Sequence, residues 1–223
     1  GIIEFCKILI LTCFYISLTD MASYKLTYFP IKGLAEPIRF LLSYGSVEFE
    51  DVRVNREDWP KLKPSMPFGQ MPVLEVDGKK INQSQAISRY LAKQFGLAGK
   101  DDWEALEIDA TVATIDDLRT KIASWFYEGN IAVKQTKYEP LFKETIPYFL
   151  KRLDAQVKTN GGWFVGGTLS WADLLFIAQL DYIIYMTNVD IIDKYDNLKQ
   201  LKANVLNVSQ IKSWVAKRPK TDH

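Results

Sequence analysis

The fold is decided by residues 68–84, which read FGQMPVLEVDGKKINQS. Two short runs with the composition of β-strands, Val73–Val76 and Lys80–Asn82, lie on either side of Asp77 and Gly78. An Asp-Gly pair between two such runs is a strong signal for a two-residue hairpin, because both residues accept positive φ angles. This stretch therefore predicts an antiparallel pair of strands.

A strand, a helix and another strand precede the hairpin, and a helix follows it. Tyr24–Phe29 is rich in β-forming residues, and the β-branched content of Phe49–Val54 indicates a second strand. Between them, Pro37 suits the first turn of a helix that Gly45 can cap. After the hairpin, Ser84 is expected to cap a helix that runs to Phe95. The order β, α, β, long loop, β, β, α is that of a thioredoxin-like domain.

The sequence lacks the chemistry that thioredoxin-like redox enzymes use. The position of their Cys-x-x-Cys pair, just after the first strand, is occupied by Tyr28–Ile31. The two cysteines of the chain, Cys6 and Cys13, both precede residue 21, and the single histidine is His223. The main body therefore cannot perform dithiol exchange, build a cysteine zinc site or supply its own catalytic thiol or histidine.

The second half of the chain shows helical periodicity throughout. Apolar residues recur at helical spacing over 103–127, 141–157, 172–186 and 204–217. Ser170 and Asp173 have the spacing of a capping box at the start of the third of these helices. The predicted fold class is thus α/β plus all-α, with a thioredoxin-like domain over 21–98 and an all-helical domain over 101–223.

Charge and the first twenty residues limit the partners. With 28 Lys and Arg against 27 Asp and Glu, no basic surplus indicates a nucleic-acid partner. The apolar run 8–18 is shorter than the roughly 20 residues that span a bilayer, so no membrane partner is expected. Residues 1–20 lack a small-residue cleavage site, and we expect an upstream or fusion remnant outside the fold rather than a signal peptide.

Three ordered motifs carry a resemblance to a known family: Tyr28-Phe29-Pro30 after the first strand, Phe68 to Leu74, and Gln83-Ser84 at the start of a helix. This set resembles the cytosolic glutathione transferases. Further matches at 24–29, 36–39 and 114–117 resemble the Sigma class in its arthropod form, which is related to glutathione-dependent prostaglandin D synthase.

The resemblance implies that glutathione, as co-substrate, supplies the thiol that the chain lacks. Tyr28 matches the catalytic residue that stabilises the thiolate. The glutathione-binding positions implied in the same way are Tyr28, Trp59, Lys63, Gln70, Met71, Pro72, Gln83, Ser84, and Asp117 from a partner subunit. Met71-Pro72 resembles the family's cis-prolyl bond. The residues alone also allow a trans bond there, a solvated Lys63, a Ser84 that only caps its helix, and an Asp117 without a ligand.

A hydrophobic substrate site is implied next to the thiolate, lined by Phe29, Ile31, Trp125 and Phe126, with Tyr127 close by. Neighbouring aromatic residues on a helix point in different directions, so at least one of the last three is expected to belong to the core or the surface.

Two positions depart from the vertebrate prostaglandin D synthases. Leu34 replaces an arginine that would assist the thiolate, and Ala113 replaces an acidic residue one turn before Asp116 and Asp117. Two carboxylates per chain make a weaker site for a hard cation, so no metal is expected.

The sequence thus predicts a homodimeric, cytoplasmic glutathione transferase that conjugates hydrophobic electrophiles. Peroxidase activity on lipid hydroperoxides and prostaglandin isomerisation would use the same thiolate. Two other readings remain open: a crystallin-like structural protein, and a carrier of hydrophobic ligands with the same fold.

Overall fold

The computed structural model describes residues 22–221, so the predictions made for residues 1–20 lie outside the described part. A four-stranded mixed sheet has the order β2-β1-β3-β4. Its strands are β1 (Tyr24–Tyr28), β2 (Phe49–Arg53), β3 (Val73–Val76) and β4 (Lys79–Asn82). β1 pairs parallel with β2 and antiparallel with β3, and β3 pairs antiparallel with β4. The predicted thioredoxin-like domain is confirmed.

The predicted hairpin is present with the expected turn chemistry. Asp77 has φ 50° and Gly78 has φ 80°, the pair of positive angles that a type I′ turn requires. The first strand of the hairpin, β3, also pairs with β1, and in this pairing Leu26 lies opposite Leu74. Tyr28 is therefore held at the carboxyl end of an interior strand.

Helix α1 (Glu36–Tyr44) packs against a helix of the second domain as well as within its own domain, which explains why Glu36 to Leu42 are all buried. Gly45 ends this helix as predicted, but with φ −69° it does not provide a left-handed cap. Ser46, at φ 53°, does so instead. The need for glycine at position 45 is steric, since a Cβ there would lie 2.4 Å from the ring of Phe95.

Three short helical segments occupy the long loop between β2 and β3, a fourth lies between β1 and α1, and a longer helix follows the hairpin. They are α2 (Trp59–Leu62), 3-10 turns at Gly33–Ala35, Lys63–Ser65 and Pro67–Gly69, and α3 (Ser84–Gln94). Gly96, at φ 72°, follows the end of α3.

The second domain is helical over its described residues, which confirms the predicted fold class. Its elements are α4 (Asp102–Phe126), α5 (Ile131–Glu139), a π-helical segment (Pro140–Thr145), α6 (Ile146–Thr159), α7 (Trp171–Thr187), α8 (Asp196–Leu206) and α9 (Ser209–Lys217). α7 is buried on nearly all sides because it packs against α4 and against α1 of the first domain. The predicted capping box at its start is present: Asp173 Oδ2 accepts from the Ser170 amide at 2.7 Å and from its hydroxyl at 2.8 Å.

Two details of the helical domain differ from the prediction. The helix predicted over 141–157 is divided, because Pro140 and Pro147 have no amide hydrogen and interrupt the regular hydrogen-bond ladder on both sides of the π-helical segment. The helix predicted over 204–217 is also divided, since Val208 is extended (ψ 123°) between α8 and α9. No helix among residues 22–221 is long and apolar enough to cross a membrane.

Candidate active site

Tyr28 is the last residue of β1, and its side chain is only 7% exposed. Its carbonyl oxygen accepts a hydrogen bond from the Val54 amide at 2.8 Å, which ties it to the chain after β2. The phenolic oxygen accepts a longer one, 3.4 Å, from the Leu34 amide. No acceptor for the phenolic proton is found among the described residues, so Tyr28 can donate it to a ligand.

The backbone of the loop after β1 lies directly against this phenol. Gly33 has φ 43°, and a Cβ at that position would be 2.9 Å from the Tyr28 oxygen. A side chain there would push into the hydroxyl, so the close approach depends on glycine.

The environment of Tyr28 keeps the phenol protonated. Burial raises the pKa of Tyr28 above its ordinary value of 10.0, and the nearby hydroxyl of Tyr127 adds to the rise. The Leu34 amide and the positive charges of Arg39 and Arg119 act in the opposite direction without cancelling it. At neutral pH the hydroxyl is therefore a hydrogen-bond donor and not a base.

An aromatic wall continues from Tyr28 into the long loop. The Phe29 ring meets the Tyr28 ring edge-on with centroids 5.6 Å apart, and meets Trp59 in the same way at 5.8 Å. Arg56, which the sequence did not single out, places its guanidinium 5.6 Å from the centre of the Phe29 ring. The structure thus brings Phe29 and Trp59 together beside Tyr28.

A second group of predicted residues meets at the start of α3. The side-chain oxygen of Gln70 accepts from Asn82 at 3.0 Å and from Gln83 at 3.2 Å. Gln83 has φ 78° and ψ 96°, a strained conformation of the kind found at ligand sites. Asn82 was missed because a polar residue at a strand end gives no distinctive signal.

The N-terminus of α3 is open. Gln83, not Ser84, is the N-cap residue, so the prediction that Ser84 caps this helix was wrong. The Gln83 side chain does not cap the helix, because it turns toward Gln70. The first amides of α3 and the Ser84 hydroxyl are therefore available to an anion at the positive end of the helix.

The remaining predicted binding positions lie along the loop that precedes β3. The Met71-Pro72 peptide is cis, as the resemblance implies. Met71 stands two residues before the rung that pairs Thr27 with Val73, so its backbone extends past the end of the sheet. The Lys63 side chain is exposed, and its stem passes within 3.2 Å of the position that a Cβ of Gly69 would occupy.

The aromatic residues at the end of α4 point in two directions. The Trp125 ring contacts Tyr138 and Phe142 within the helical domain and lines a cavity of about 420 Å³ there. The Phe126 ring packs edge-on against Tyr127, at 4.9 Å. The ring contacts described for Trp125 and for Phe126 are all with residues of the helical domain, but with different ones.

A pair of tyrosines lies near Tyr28, of which the sequence indicated Tyr127 but not Tyr182. The hydroxyls of Tyr127 and Tyr182 are 2.8 Å apart. Burial, followed by the hydrogen bond to Tyr127, raises the pKa of Tyr182. The positive charge of Arg119 acts on both Tyr28 and Tyr182, in the direction of lowering each pKa.

The acidic pair on α4 is partly engaged. Asp116 accepts a 2.6 Å hydrogen bond from the Arg119 guanidinium, whereas Asp117 is exposed. Among residues 22–221, no group of three or more His, Cys, Asp or Glu side chains could hold a metal ion.

The fold and site together define a class of protein. A thioredoxin-like domain carries a buried phenol where redox enzymes have cysteines, an aromatic wall lies beside the phenol, and the same domain has an open helix N-terminus. Such a domain takes its thiol from a bound ligand, as glutathione-dependent enzymes do.

Comparison with known proteins gives the family. The profiles described as "Glutathione S-transferase, N-terminal domain" and "Glutathione S-transferase, C-terminal domain" match residues 24–93 and 116–218. A glutathione S-transferase of Anopheles gambiae is 51% identical over 202 residues, 91% of this chain and 100% of that protein. A hematopoietic prostaglandin D synthase of Gallus gallus is 42% identical, covering 90% and 99%. Prostaglandin synthase D of Nilaparvata lugens, a solved structure, has a TM-score of 0.85 at 48% identity, covering 89% and 100%.

The chain belongs to the glutathione S-transferase family and is a glutathione transferase with glutathione as co-substrate. Its similarity to insect glutathione S-transferases and to prostaglandin D synthases is that of a Sigma-class member.

Proposed function

We propose that Tyr28 is the catalytic residue, and that its hydroxyl donates a hydrogen bond to the thiolate of bound glutathione. The observation that carries this proposal is the buried, protonated phenol whose proton has no acceptor among the described residues. The thiolate attacks the electrophile RX, a carbon–sulfur bond forms, X leaves with the bonding electrons, and the thiol proton ends on HX or solvent.

The strength of one hydrogen bond suits this task. A free thiol has a pKa near 8.5, so ionisation below neutral pH needs a shift of about two units, or roughly 2.7 kcal/mol. A hydrogen bond to a charged group contributes about 1.5–3 kcal/mol. Leu34 stands where the vertebrate prostaglandin D synthases have an arginine, so that position supplies no positive charge. The charges of Arg39 and Arg119 act on Tyr28 instead, and positive charge there also favours a thiolate.

Glutathione lies along the remaining predicted residues in this proposal. Gln83, Ser84 and the amides of α3 bind its γ-glutamyl carboxylate, with Gln70 beside them. The backbone of Met71, next to Pro72, binds the cysteinyl part as an added strand would.

The other end of the peptide is placed over the long loop. The indole N–H of Trp59 and the ammonium of Lys63 bind the glycine carboxylate. The position of Trp59 next to Phe29, and of the Lys63 stem next to Gly69, supports this arrangement.

We further propose that Phe29, Ile31 and Phe126 line the site for the hydrophobic electrophile. Trp125 is left out because its ring packs against Tyr138 and Phe142. Phe126 instead packs against Tyr127, whose hydroxyl acts on Tyr28. Lipid hydroperoxides and prostaglandin endoperoxides are accepted at the same site, where the thiolate attacks an oxygen–oxygen bond. An apolar site of this kind also keeps water from the nucleophile.

A cytoplasmic homodimer is the proposed assembly, with Asp117 of the partner subunit reaching the α-amino group of glutathione. Phe68 is 91% exposed on a left-handed corner (φ 52°) near Gln70, as expected for a side chain that anchors an interface. An apolar groove of about 520 Å³ beside Ile81 and Tyr90 offers further contact surface. The domain limits 21–98 and 101–223 are proposed as well.

The test compares Tyr28→Phe with Tyr24→Phe, the same change on the same strand. Rates with a chloronitrobenzene acceptor are expected to fall about 10- to 150-fold for Tyr28→Phe, the equivalent of one charge-assisted hydrogen bond, and to stay near wild type for the control. Equal rates for the two variants would refute the role of Tyr28. Wild-type protein that fails to bind immobilised glutathione would favour a structural role instead.

A further inference from the structure

A network of ion pairs joins the loop after β1 to the helical domain. Lys32, in this loop, places its ammonium 2.8 Å from Asp181 of α7. The guanidinium of Arg218, which follows α9, contacts the same Asp181 oxygen at 3.0 Å. Burial alone would raise the pKa of Asp181, but Lys32 and Arg218 more than offset it and lower that pKa. Lys32 is thus anchored to a helix of the other domain.

The C-terminal segment continues this network into α1. Glu36 is buried, and its Oε1 accepts from the Trp214 indole and from Arg218, both at 2.8 Å. Its other oxygen accepts from Arg39 at 3.1 Å. The described hydrogen-bond donors to Glu36 are therefore protein side chains, and two of them, Trp214 and Arg218, lie in α9 or directly after it.

Arg39 connects Glu36 to the backbone of the loop after β1. It is fully buried, and its Nη1 donates to the carbonyl oxygens of Ile31 at 2.9 Å and Lys32 at 3.4 Å, while its Nε donates to Asp51 at 3.0 Å. The loop is held by its backbone from within the first domain and by the Lys32 side chain from the second.

The residues fixed in this way are the ones that touch Tyr28. Gly33 and Leu34 follow Lys32 directly, and the Leu34 amide donates to the Tyr28 oxygen over 3.4 Å, the long end of the range for a hydrogen bond. A contact at that limit is lost when the loop moves by a few tenths of an ångström, and the phenol then loses its fixed direction.

We propose that Lys32, Asp181 and Arg218 are positioning residues for Tyr28. The bridge from α7 and the C-terminal segment holds the loop against the phenol, so that the Tyr28 proton is aimed at the thiolate. This inference rests on the proposed role of Tyr28. It assigns to two elements of the helical domain, outside the glutathione-binding positions, a part in setting the ionisation of bound glutathione.

The experiment measures the pKa of bound glutathione in Asp181→Ala, from the ultraviolet absorbance of the thiolate and the pH dependence of kcat/KM. The sign of the shift separates positioning from direct electrostatics. Removing the negative charge of Asp181 would by itself favour a thiolate and lower the thiol pKa. Releasing the loop raises it instead, by about half a unit, with kcat/KM about three-fold lower at pH values below that pKa.

Lys32→Met tests the other end of the bridge, and Lys25→Met is its matched control, because Lys25 forms an exposed ion pair with Glu50 on the same sheet. We expect Lys32→Met to raise the thiol pKa, Lys32→Arg to retain the wild-type value, and Lys25→Met to leave it unchanged. In a Tyr28→Phe background, Lys32→Met should add nothing, since it acts through the phenol. This arm decides the question if Asp181→Ala does not fold.

The outcomes separate the two proposals. An unchanged or lowered thiol pKa in Asp181→Ala, with Tyr28→Phe raising it, overturns the positioning role and leaves the function of Tyr28 intact. An equal effect of Lys32→Met with and without Tyr28 overturns it too, because the lysine then acts by its charge alone. An unchanged thiol pKa in Tyr28→Phe overturns the proposed function itself.

Discussion

Replacing Gly33 by alanine should impair thiolate formation without unfolding the protein. An added Cβ would lie 2.9 Å from the Tyr28 oxygen and 3.0 Å from a ring carbon, distances that force the phenol or the loop to move. If the hydrogen bond to the thiolate is lost, about 1.5–3 kcal/mol of stabilisation is lost with it. We therefore expect kcat/KM to fall about 10- to 150-fold at neutral pH.

Gly78→Ala is the matched control for this change. Gly78 also has a positive φ (80°), but a Cβ there would meet nothing within 4 Å. Both variants incur the strain of an alanine in left-handed backbone, about 1–2 kcal/mol of stability, and only Gly33→Ala disturbs the phenol.

The assay is conjugation of a chloronitrobenzene across a range of pH, with thermal unfolding measured on the same samples. Gly33→Ala should lower the rate and raise the apparent pKa of the thiol, while both variants unfold at similar temperatures. If Gly33→Ala keeps the kcat/KM of Gly78→Ala, the position of the hydroxyl does not control the thiolate, and the argument from loop geometry is wrong.

Three further predictions concern other parts of the molecule. Burial raises the pKa of Asp173 from 3.8 to about 6, so ionisation of this carboxyl destabilises the folded protein. As the pH rises from 3.8 to 6, the contribution of Asp173 to the free energy of unfolding should decrease by about 3 kcal/mol. Denaturation of wild type and Asp173→Asn at both ends of that range tests this, and a pH-independent difference contradicts it. In steady-state kinetics, Ser84→Ala should raise the KM for glutathione about 10-fold and leave kcat nearly unchanged, since the Ser84 hydroxyl binds glutathione equally in the ground state and the transition state. An unchanged KM would remove Ser84 from the site. Phe68→Ser should weaken the dimer at least 10-fold in sedimentation equilibrium, whereas the exposed Tyr148→Ser should not, and equal dissociation constants would exclude Phe68 from the interface.

The features that depend on neighbours in sequence were predictable. Asp77-Gly78 defines its turn because the two residues carry the required angles themselves, and Ser170 and Asp173 form their capping box within a single turn. The fold class followed from the order of such local signals. Helix α5 was missed because its nine residues show no clear apolar stripe and none of them is buried.

The features that depend on distant residues were not predictable. The different directions of the Trp125 and Phe126 rings are decided by the packing of α4 against α5 and the π-helical segment. From the sequence alone, Lys32 would be expected to be solvated, because its partner Asp181 is distant along the chain and only the fold brings the two together. Arg39 reads as the polar side of an amphipathic helix, yet α1 is packed on so many sides that the guanidinium is wholly buried.

The absence of cysteine from residues 22–221 has a consequence for the durability of the catalyst. An enzyme that attacks reactive compounds with its own thiol risks permanent alkylation by them. In the mechanism proposed above, the nucleophile is a diffusible peptide that departs with each product, and the protein contributes only the Tyr28 phenol, which at neutral pH is un-ionised and a poor target. Sustained turnover is therefore limited by the supply of glutathione and not by alkylation of the protein.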